Sequence, residues 1–211
     1  MMKVLNLYAC LGGNRYKWDD VEVTAVEHDP ELAKLYQKRF PNDVVIVGDA
    51  HQYLLDHYKE FEFIWSSPPC PTHSKVRFAN TKAKPMFPSM ILYEEIIFLE
   101  NFFNGKWCVE NVTPYYEPLI PGIKRGRHIY WTNFRLPNVL SDRKVKVGSG
   151  KDEVKKLCAF HEIDLSGYNG EQRKDKIARN LVDYEAGKTI LDAAREIIRK
   201  ENVEQLELFE Q

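Results

Sequence analysis

The sequence predicts an α/β fold: a doubly wound, largely parallel sheet with helices on both faces and a helical C-terminal segment. Short runs rich in Val, Ile and aromatic residues alternate with longer amphipathic stretches through residue 110. Each short run stops at a Gly, an acid or a Pro, which places turns and ligand-facing groups at one end of the strands. The chain has 211 residues, enough for one sizeable core and a small appendage.

Residues 4–8 form the first strand, followed by Ala9-Cys10-Leu11-Gly12-Gly13-Asn14. Two glycines here either let the backbone approach a ligand or close a plain turn. Residues 22–27 form the second strand, ending at Glu27, an acid placed to take a ribose hydroxyl pair. Asp29 caps the next helix with Pro30 at its first position, and Leu32, Leu35, Tyr36 and Phe40 make its apolar stripe. The third strand, 44–47, closes on Gly48-Asp49-Ala50, and a helix over 51–58 follows. Asp49 serves there as a helix cap or as an acceptor for an adenine amino group.

The fourth strand, 61–65, runs into Ser66-Ser67-Pro68-Pro69-Cys70. Two prolines stiffen this turn, so a nucleophile on it is aimed with little entropy lost; a buried, inert thiol fits the same turn. Residues 71–87 carry Lys75, Arg77, Lys82 and Lys84 and no acid, which suits a polyanionic substrate. A helix over 89–103 buries Ile91, Leu92, Ile96, Leu99 and Phe103. The fifth strand, 106–110, ends at Glu110, before Asn111-Val112-Thr113-Pro114. With the fourth and fifth strands adjacent and parallel, Cys70 and Glu110 face one cleft, as attack by a thiol with proton donation requires.

Residues 115–120 are a candidate further strand, 124–128 a basic turn, and 129–134 an aromatic strand. Helices are expected over 152–160, 171–184 and 185–200, with Gly187 weakening the last. The expected organisation is a catalytic core (1–136), a short basic linker or reduced recognition segment (137–170), C-terminal helices returning to the core (171–200) and an acidic tail (201–211).

A net charge of −1 leaves nucleic-acid contact to local basic patches. Cys10, Cys70, Cys108 and Cys158 include no C-x-x-C pair, which argues against a zinc site or disulfide framework and for a reducing compartment. No metal is expected. No apolar run has transmembrane length, and the first residues turn polar too soon for a signal peptide.

Together the motifs resemble the DNA cytosine-5 methyltransferases. Leu7-Tyr8-Ala9-Cys10-Leu11-Gly12-Gly13 is similar to their first motif, and Val26-Glu27-His28-Asp29 and Gly48-Asp49-Ala50 to the next two. Ser67-Pro68-Pro69-Cys70 resembles the catalytic Pro-Cys motif and Glu110-Asn111-Val112 the Glu-Asn-Val motif. Arg127-His128-Ile129-Tyr130-Trp131 stands where an Arg-containing strand motif is expected, and Arg179-Asn180-Leu181-Val182 is a weak match to the last motif.

The resemblance implies a Rossmann-like S-adenosylmethionine-dependent methyltransferase sheet in a small phage-type or stand-alone enzyme. It implies a cytoplasmic protein of a prokaryotic or phage-infected cell that acts on DNA by base flipping, in the setting of restriction-modification. Cys70, Glu110, Asn111, Arg127 and His128 would be catalytic, with Cys70 attacking carbon 6 of cytosine. The methyl donor would lie against Tyr8, Ala9, Cys10, Leu11, Gly12, Gly13, Glu27, His28, Asp49, Ala50, Pro69 and Asn180. Ser74, Lys75 and Arg77 would hold substrate.

The chain departs from the family pattern at Cys10 (usually Gly), Pro71 (usually Gln), His128 (often Arg) and Arg179 (usually Gly). Its recognition region is reduced, which implies a minimal element, loose specificity, or a partner subunit that reads sequence. Rival readings are an enzyme acting on RNA or a free nucleotide, and a non-catalytic DNA-binding relative. Finally, Gln205-Leu206-Glu207-Leu208-Phe209 resembles the peptide that docks bacterial proteins on the sliding clamp; a frayed helix end returning to the domain fits the same residues.

Overall fold

A computed structural model describes residues 1–75, 87–141 and 152–196. Seven strands form one sheet: β1 (Met2–Leu7), β2 (Val21–Glu27), β3 (Val44–Val47), β4 (Phe63–Ser66), β5 (Lys106–Val112), β6 (Ile123–Arg125) and β7 (His128–Thr132). Their order is β3-β2-β1-β4-β5-β7-β6. The pairs from β3 through β5 are parallel; β7 runs antiparallel to both β5 and β6. The helices are α1 (Pro30–Arg39), α2 (Ala50–His57), α3 (Ile91–Phe102), α4 (Glu153–His161), α5 (Lys174–Asn180) and α6 (Tyr184–Ala194).

Successive strand residues point to opposite faces. Leu5, Leu7, Ile64, Trp107, Val109, Ile129 and Trp131 pack with α2 and α3 through Leu54, Leu92, Ile96 and Leu99. Their neighbours Val4, Phe63, Trp65, Cys108 and Tyr130 pack on the other face against Ile190, Leu191 and Ala194 of α6. Both faces being covered explains why the central strands read as continuous apolar runs.

The crossover from β1 to β2 has no helix of its own, although parallel crossovers usually carry one. α6 lies there instead. Trp18 Nε1 donates to Gly187 O at 3.0 Å, and a Cβ at Gly187 would stand 2.1 Å from Asn14 O. The glycine expected to weaken this helix is thus what lets it approach.

Other differences from expectation have equally local causes. No strand forms over 115–120, because Pro114, Pro118 and Pro121 interrupt that segment. β6 forms instead within the expected basic turn, where Gly126 at φ +60 closes a hairpin with β7. The helix expected over 171–184 is only Lys174–Asn180. The chain then extends, and Asp183 caps α6 by accepting from Glu185 N.

Within 137–170, expected as a short basic linker or reduced recognition segment, the described residues from 152 onward pack against the core. Glu153, Leu157 and His161 face inward on α4, and Leu157, Leu165 and Tyr168 join Leu11, Leu32 and Ile177 in one apolar cluster. Arg143, Lys144 and Lys146, which give the segment its basic character, lie outside the described residues. Among the described residues no helix is long and apolar enough to cross a membrane.

Candidate active site

The strand order reverses between β1 and β4, so the loops leaving those strands part and open a crevice at the carboxyl end of the sheet. The β1 loop makes one wall. Tyr8, Cys10 and Gly12 take left-handed φ values of +56, +48 and +66. For the two non-glycine residues this costs on the order of 1 kcal/mol each. Glu27, at the end of neighbouring β2, helps hold the coil: its Oε2 accepts from Cys10 N at 2.7 Å and its Oε1 from Asp29 N at 2.9 Å. Burial raises the Glu27 pKa, and burial followed by Glu27 pushes the Cys10 thiol up to about 12.

The two loop glycines meet protein. A Cβ at Gly12 would stand 2.5 Å from the Phe40 ring, and one at Gly13 would stand 2.4 Å from Val182 O. Leu11 likewise turns into the cluster with Leu32 and Leu157. Ala9 and Ala50 are buried, whereas His28, Asp49 and Pro69 are exposed around the strand ends. Asp49 caps α2 by accepting from Gln52 N at 3.1 Å.

The β4 turn makes the opposite wall. β4 and β5 are parallel neighbours with Ser66 opposite Val109, which sets Ser67 beside Glu110. Ser67 Oγ donates to Glu110 Oε2 at 3.0 Å, and His128 Nε2 lies 3.4 Å from Glu110 Oε1. Glu110 is 5% exposed, and burial lifts its pKa from 4.5 to about 7; the Ser67 hydrogen bond and Arg127 only moderate this. Asn111 Nδ2 donates to Pro68 O at 3.0 Å, which pins the double-proline turn to β5. Beyond the turn, His73 N and Ser74 N donate to Cys70 O at 2.9 and 3.0 Å, and Ser74 bridges to Pro114.

Cys70 is half-buried. Burial and then Glu110 raise its pKa, while its own backbone amide, Lys176 and Arg127 pull the other way. Arg127 Nη2 donates to Arg179 O at 2.9 Å, tying α5 to the β6–β7 hairpin. Asn180 ends α5 and is exposed; the following Leu181 and Val182 lie on Gly13. Lys75 is exposed beside the turn. Arg77 lies outside the described residues, as do the remaining basic residues of its loop and Gln205, Leu206, Leu208 and Phe209.

Several residues that build the site carry no sequence signal of their own. His73 is buried, and its Nδ1 lies 2.6 Å from the Tyr116 hydroxyl, fastening the turn after Cys70 to the β5–β6 connection. Lys176 is one of three cations on the short α5, with Lys174 and Arg179, and nothing in that pattern singles it out. Glu95, inside α3 on the same face as Leu92 and Leu99, belongs to no motif and is fully buried. Among the described residues no His, Cys, Asp and Glu group is arranged to hold a metal ion.

The family model for C-5 cytosine-specific DNA methylase matches residues 2–112, just over half of the chain. No curated protein matches. Among solved structures, a DNMT2 variant from Spodoptera frugiperda is similar at 24% identity and a TM-score of 0.39, over 53% of this chain and 36% of that one. The Dnmt2 methyltransferase of S. pombe shares 17% identity at a TM-score of 0.40, over 55% of this chain and 37% of that one. A putative methyltransferase from Escherichia coli shares 15% identity at a TM-score of 0.40, over 62% and 74% respectively. The chain thus spans about a third of the length of the two DNMT2 proteins. The matched segment runs from β1 to the end of β5 and contains the β1 loop, Glu27, Asp49, Cys70 and Glu110, so on that match this chain belongs to the C-5 cytosine-specific DNA methylase family.

Proposed function

We propose that this protein transfers a methyl group from S-adenosylmethionine to carbon 5 of a cytosine in DNA, through a covalent adduct with Cys70. The observation that carries the reading is the buried Glu110 on β5, its pKa raised to about 7 by burial, beside the turn that presents Cys70, with Asn111 pinning that turn.

The donor set at the strand ends suits the methyl donor. The Glu27 carboxylate, held by the Cys10 and Asp29 amides at the end of β2, is an acceptor for ribose hydroxyls. Asp49, exposed on the next strand end, is an acceptor for an amino-purine. When bound, S-adenosylmethionine supplies the methyl group and leaves as S-adenosylhomocysteine.

The chain's own part is proton and electron-pair management. The Cys70 thiolate forms a bond to carbon 6 of a cytosine turned out of the stack, and the ring nitrogen takes the Glu110 proton as electron density moves onto the ring. Carbon 5 is then nucleophilic. After methylation a base removes the carbon-5 proton, the double bond to carbon 6 re-forms, and Cys70 departs as the thiolate. Arg127 and Lys176 give the mouth of the site positive charge for a phosphate backbone.

The test is DNA containing 5-fluorocytosine, incubated with the protein and S-adenosylmethionine. A covalent complex should form with the wild type and not with Cys70→Ser. Parallel tritiated-methyl assays on DNA, RNA and free nucleotides identify the substrate. Label in RNA or nucleotide but none in DNA would move the activity to that substrate, and no adduct anywhere would remove the covalent mechanism.

A further inference from the structure

Glu95 belongs to none of the motifs that define the site, yet its carboxylate gathers the loops that build it. It lies in α3 with no exposed surface. Its Oε1 accepts from the Tyr8 hydroxyl at 2.6 Å and lies 3.2 Å from His51 Nδ1, and its Oε2 accepts from the Ser66 hydroxyl at 2.5 Å. Tyr8 is the first residue of the β1 loop, His51 lies in the first turn of α2 beyond Asp49, and Ser66 is the last residue of β4 before the Cys70 turn. One buried group thus touches the β1 loop, the start of α2 and the end of β4.

A carboxylate is a poor choice for filling this space. Leu92, Ile96 and Leu99 do so on the same helix, and an ionised carboxylate taken from water costs several kcal/mol unless donors replace the lost hydration. Two hydroxyls and an imidazole do replace it. Burial and Glu95 raise the Tyr8 pKa, which keeps that hydroxyl a donor. The hydrogen bond to Glu95 also raises His51 against its burial. Tyr8 holds its strained left-handed backbone, and its ring is anchored at the far end by Glu95.

We infer that Glu95 is a positioning residue: through Tyr8 it sets the methyl-donor loop, through Ser66 the nucleophile turn, and so it fixes the spacing between donor and Cys70. The inference rests on the methyltransferase reading of those two loops. Displacing a reacting group by about 1 Å costs up to about a hundredfold in rate, so a strut that sets both walls acts on catalysis without touching substrate.

The experiment compares wild type, Tyr8→Phe, Ser66→Ala and Glu95→Gln. S-adenosylhomocysteine binding is read by calorimetry, and methyl transfer on the polynucleotide the wild type modifies is read at varied donor concentration. Tyr8→Phe should act chiefly on donor affinity and Ser66→Ala chiefly on kcat, each by about tenfold, and Glu95→Gln should move both. Should Glu95→Gln fail to fold, the split between the two hydroxyl variants decides. If all the folded variants melt earlier but keep wild-type affinity and kcat below their Tm, Glu95 is only a fold contact and the inference is overturned. A wild-type protein that binds no S-adenosylhomocysteine overturns the underlying reading instead, which keeps the two failures apart.

Discussion

Replacing Glu110 with Gln should make the protein progressively more stable than the wild type as pH rises from about 4.5 to about 7, and by the full amount above that. Burial raises the Glu110 pKa from 4.5 in an exposed chain to about 7 in the fold. The unfolded state therefore gives up this proton first. Stability from the protonated carboxyl is fully present below about pH 4.5 and is lost as pH rises through about 7. At 1.36 kcal/mol per unit, the shift amounts to about 3 kcal/mol above pH 8, of which about 2.5 kcal/mol accrues between pH 5 and pH 8. The amide that replaces the carboxyl still accepts the Ser67 hydrogen bond and carries no charge at either pH. Urea unfolding at pH 5 and pH 8 then isolates the effect, because any repacking cost of the amide appears equally at both. The wild type should lose about 2.5 kcal/mol more than the variant across that interval, or roughly 5–10 °C in Tm at pH 8. Parallel pH profiles for the two proteins would show that Glu110 ionises in the fold as easily as in the unfolded chain, and would remove the argument that it is a stored proton.

Three further outcomes follow from the same geometry. Asn111→Ala removes the hydrogen bond to Pro68 O and the side-chain acceptor of Val112 N, so it should cost about 2 kcal/mol in urea unfolding and at least about tenfold in kcat; an unchanged kcat in the folded variant would mean that the turn holds itself. Gly187→Ala forces a Cβ to 2.1 Å from Asn14 O, so it should lower stability by about 2 kcal/mol or more, and a Tm equal to wild type would contradict the close approach of α6. Because the Glu110 charge raises the Cys70 pKa, Glu110→Gln should shift the pH midpoint of Cys70 alkylation downward, as followed by peptide mass spectrometry; an unmoved midpoint would show that burial alone sets the thiol.

What could be read in the sequence was what obeys local rules. The strands of the parallel sheet announce themselves as apolar runs, Asp29 and Pro30 as a helix start, and Pro68-Pro69 as a stiff exit from β4. Residues whose role depends on distant partners could not be read. Glu153 and His161 occupy two of the three inward positions of α4, so its buried face carried no apolar stripe; the Glu153 carboxylate is paired with the Arg179 guanidinium, 26 positions away, at 2.8 Å. Glu95 shares the apolar face of α3 with Leu92 and Leu99, but nothing local says that its donors come from the β1 loop, α2 and β4. Gly187 reads as a defect until Asn14 is set against it. Gly12 and Gly13 read as a ligand approach or a plain turn, and the sequence could not show that Phe40 and Val182 stand where their side chains would be.

The pairing of Cys70 with Glu110 sets a constraint that explains the placement of both. In the proposed mechanism, attack needs the thiol deprotonated and the acid protonated, which is the reverse of their ordinary order of titration. Burial raises Glu110 to about 7, so a good share of the acid keeps its proton near neutral pH. The second cause of the high Cys70 pKa is the Glu110 carboxylate itself. When Glu110 holds its proton, that push disappears and the thiol ionises more easily. Lys176 and Arg127, already pulling in that direction, meet less opposition. The two groups therefore titrate as a pair in which the state with both ionised is penalised, while the state with thiolate and neutral acid is spared that repulsion. On the proposed mechanism, placing the acid on β5 next to the turn that leaves β4 does more than put a proton near the substrate ring: it makes the acid's hold on its proton and the thiol's readiness to attack rise together.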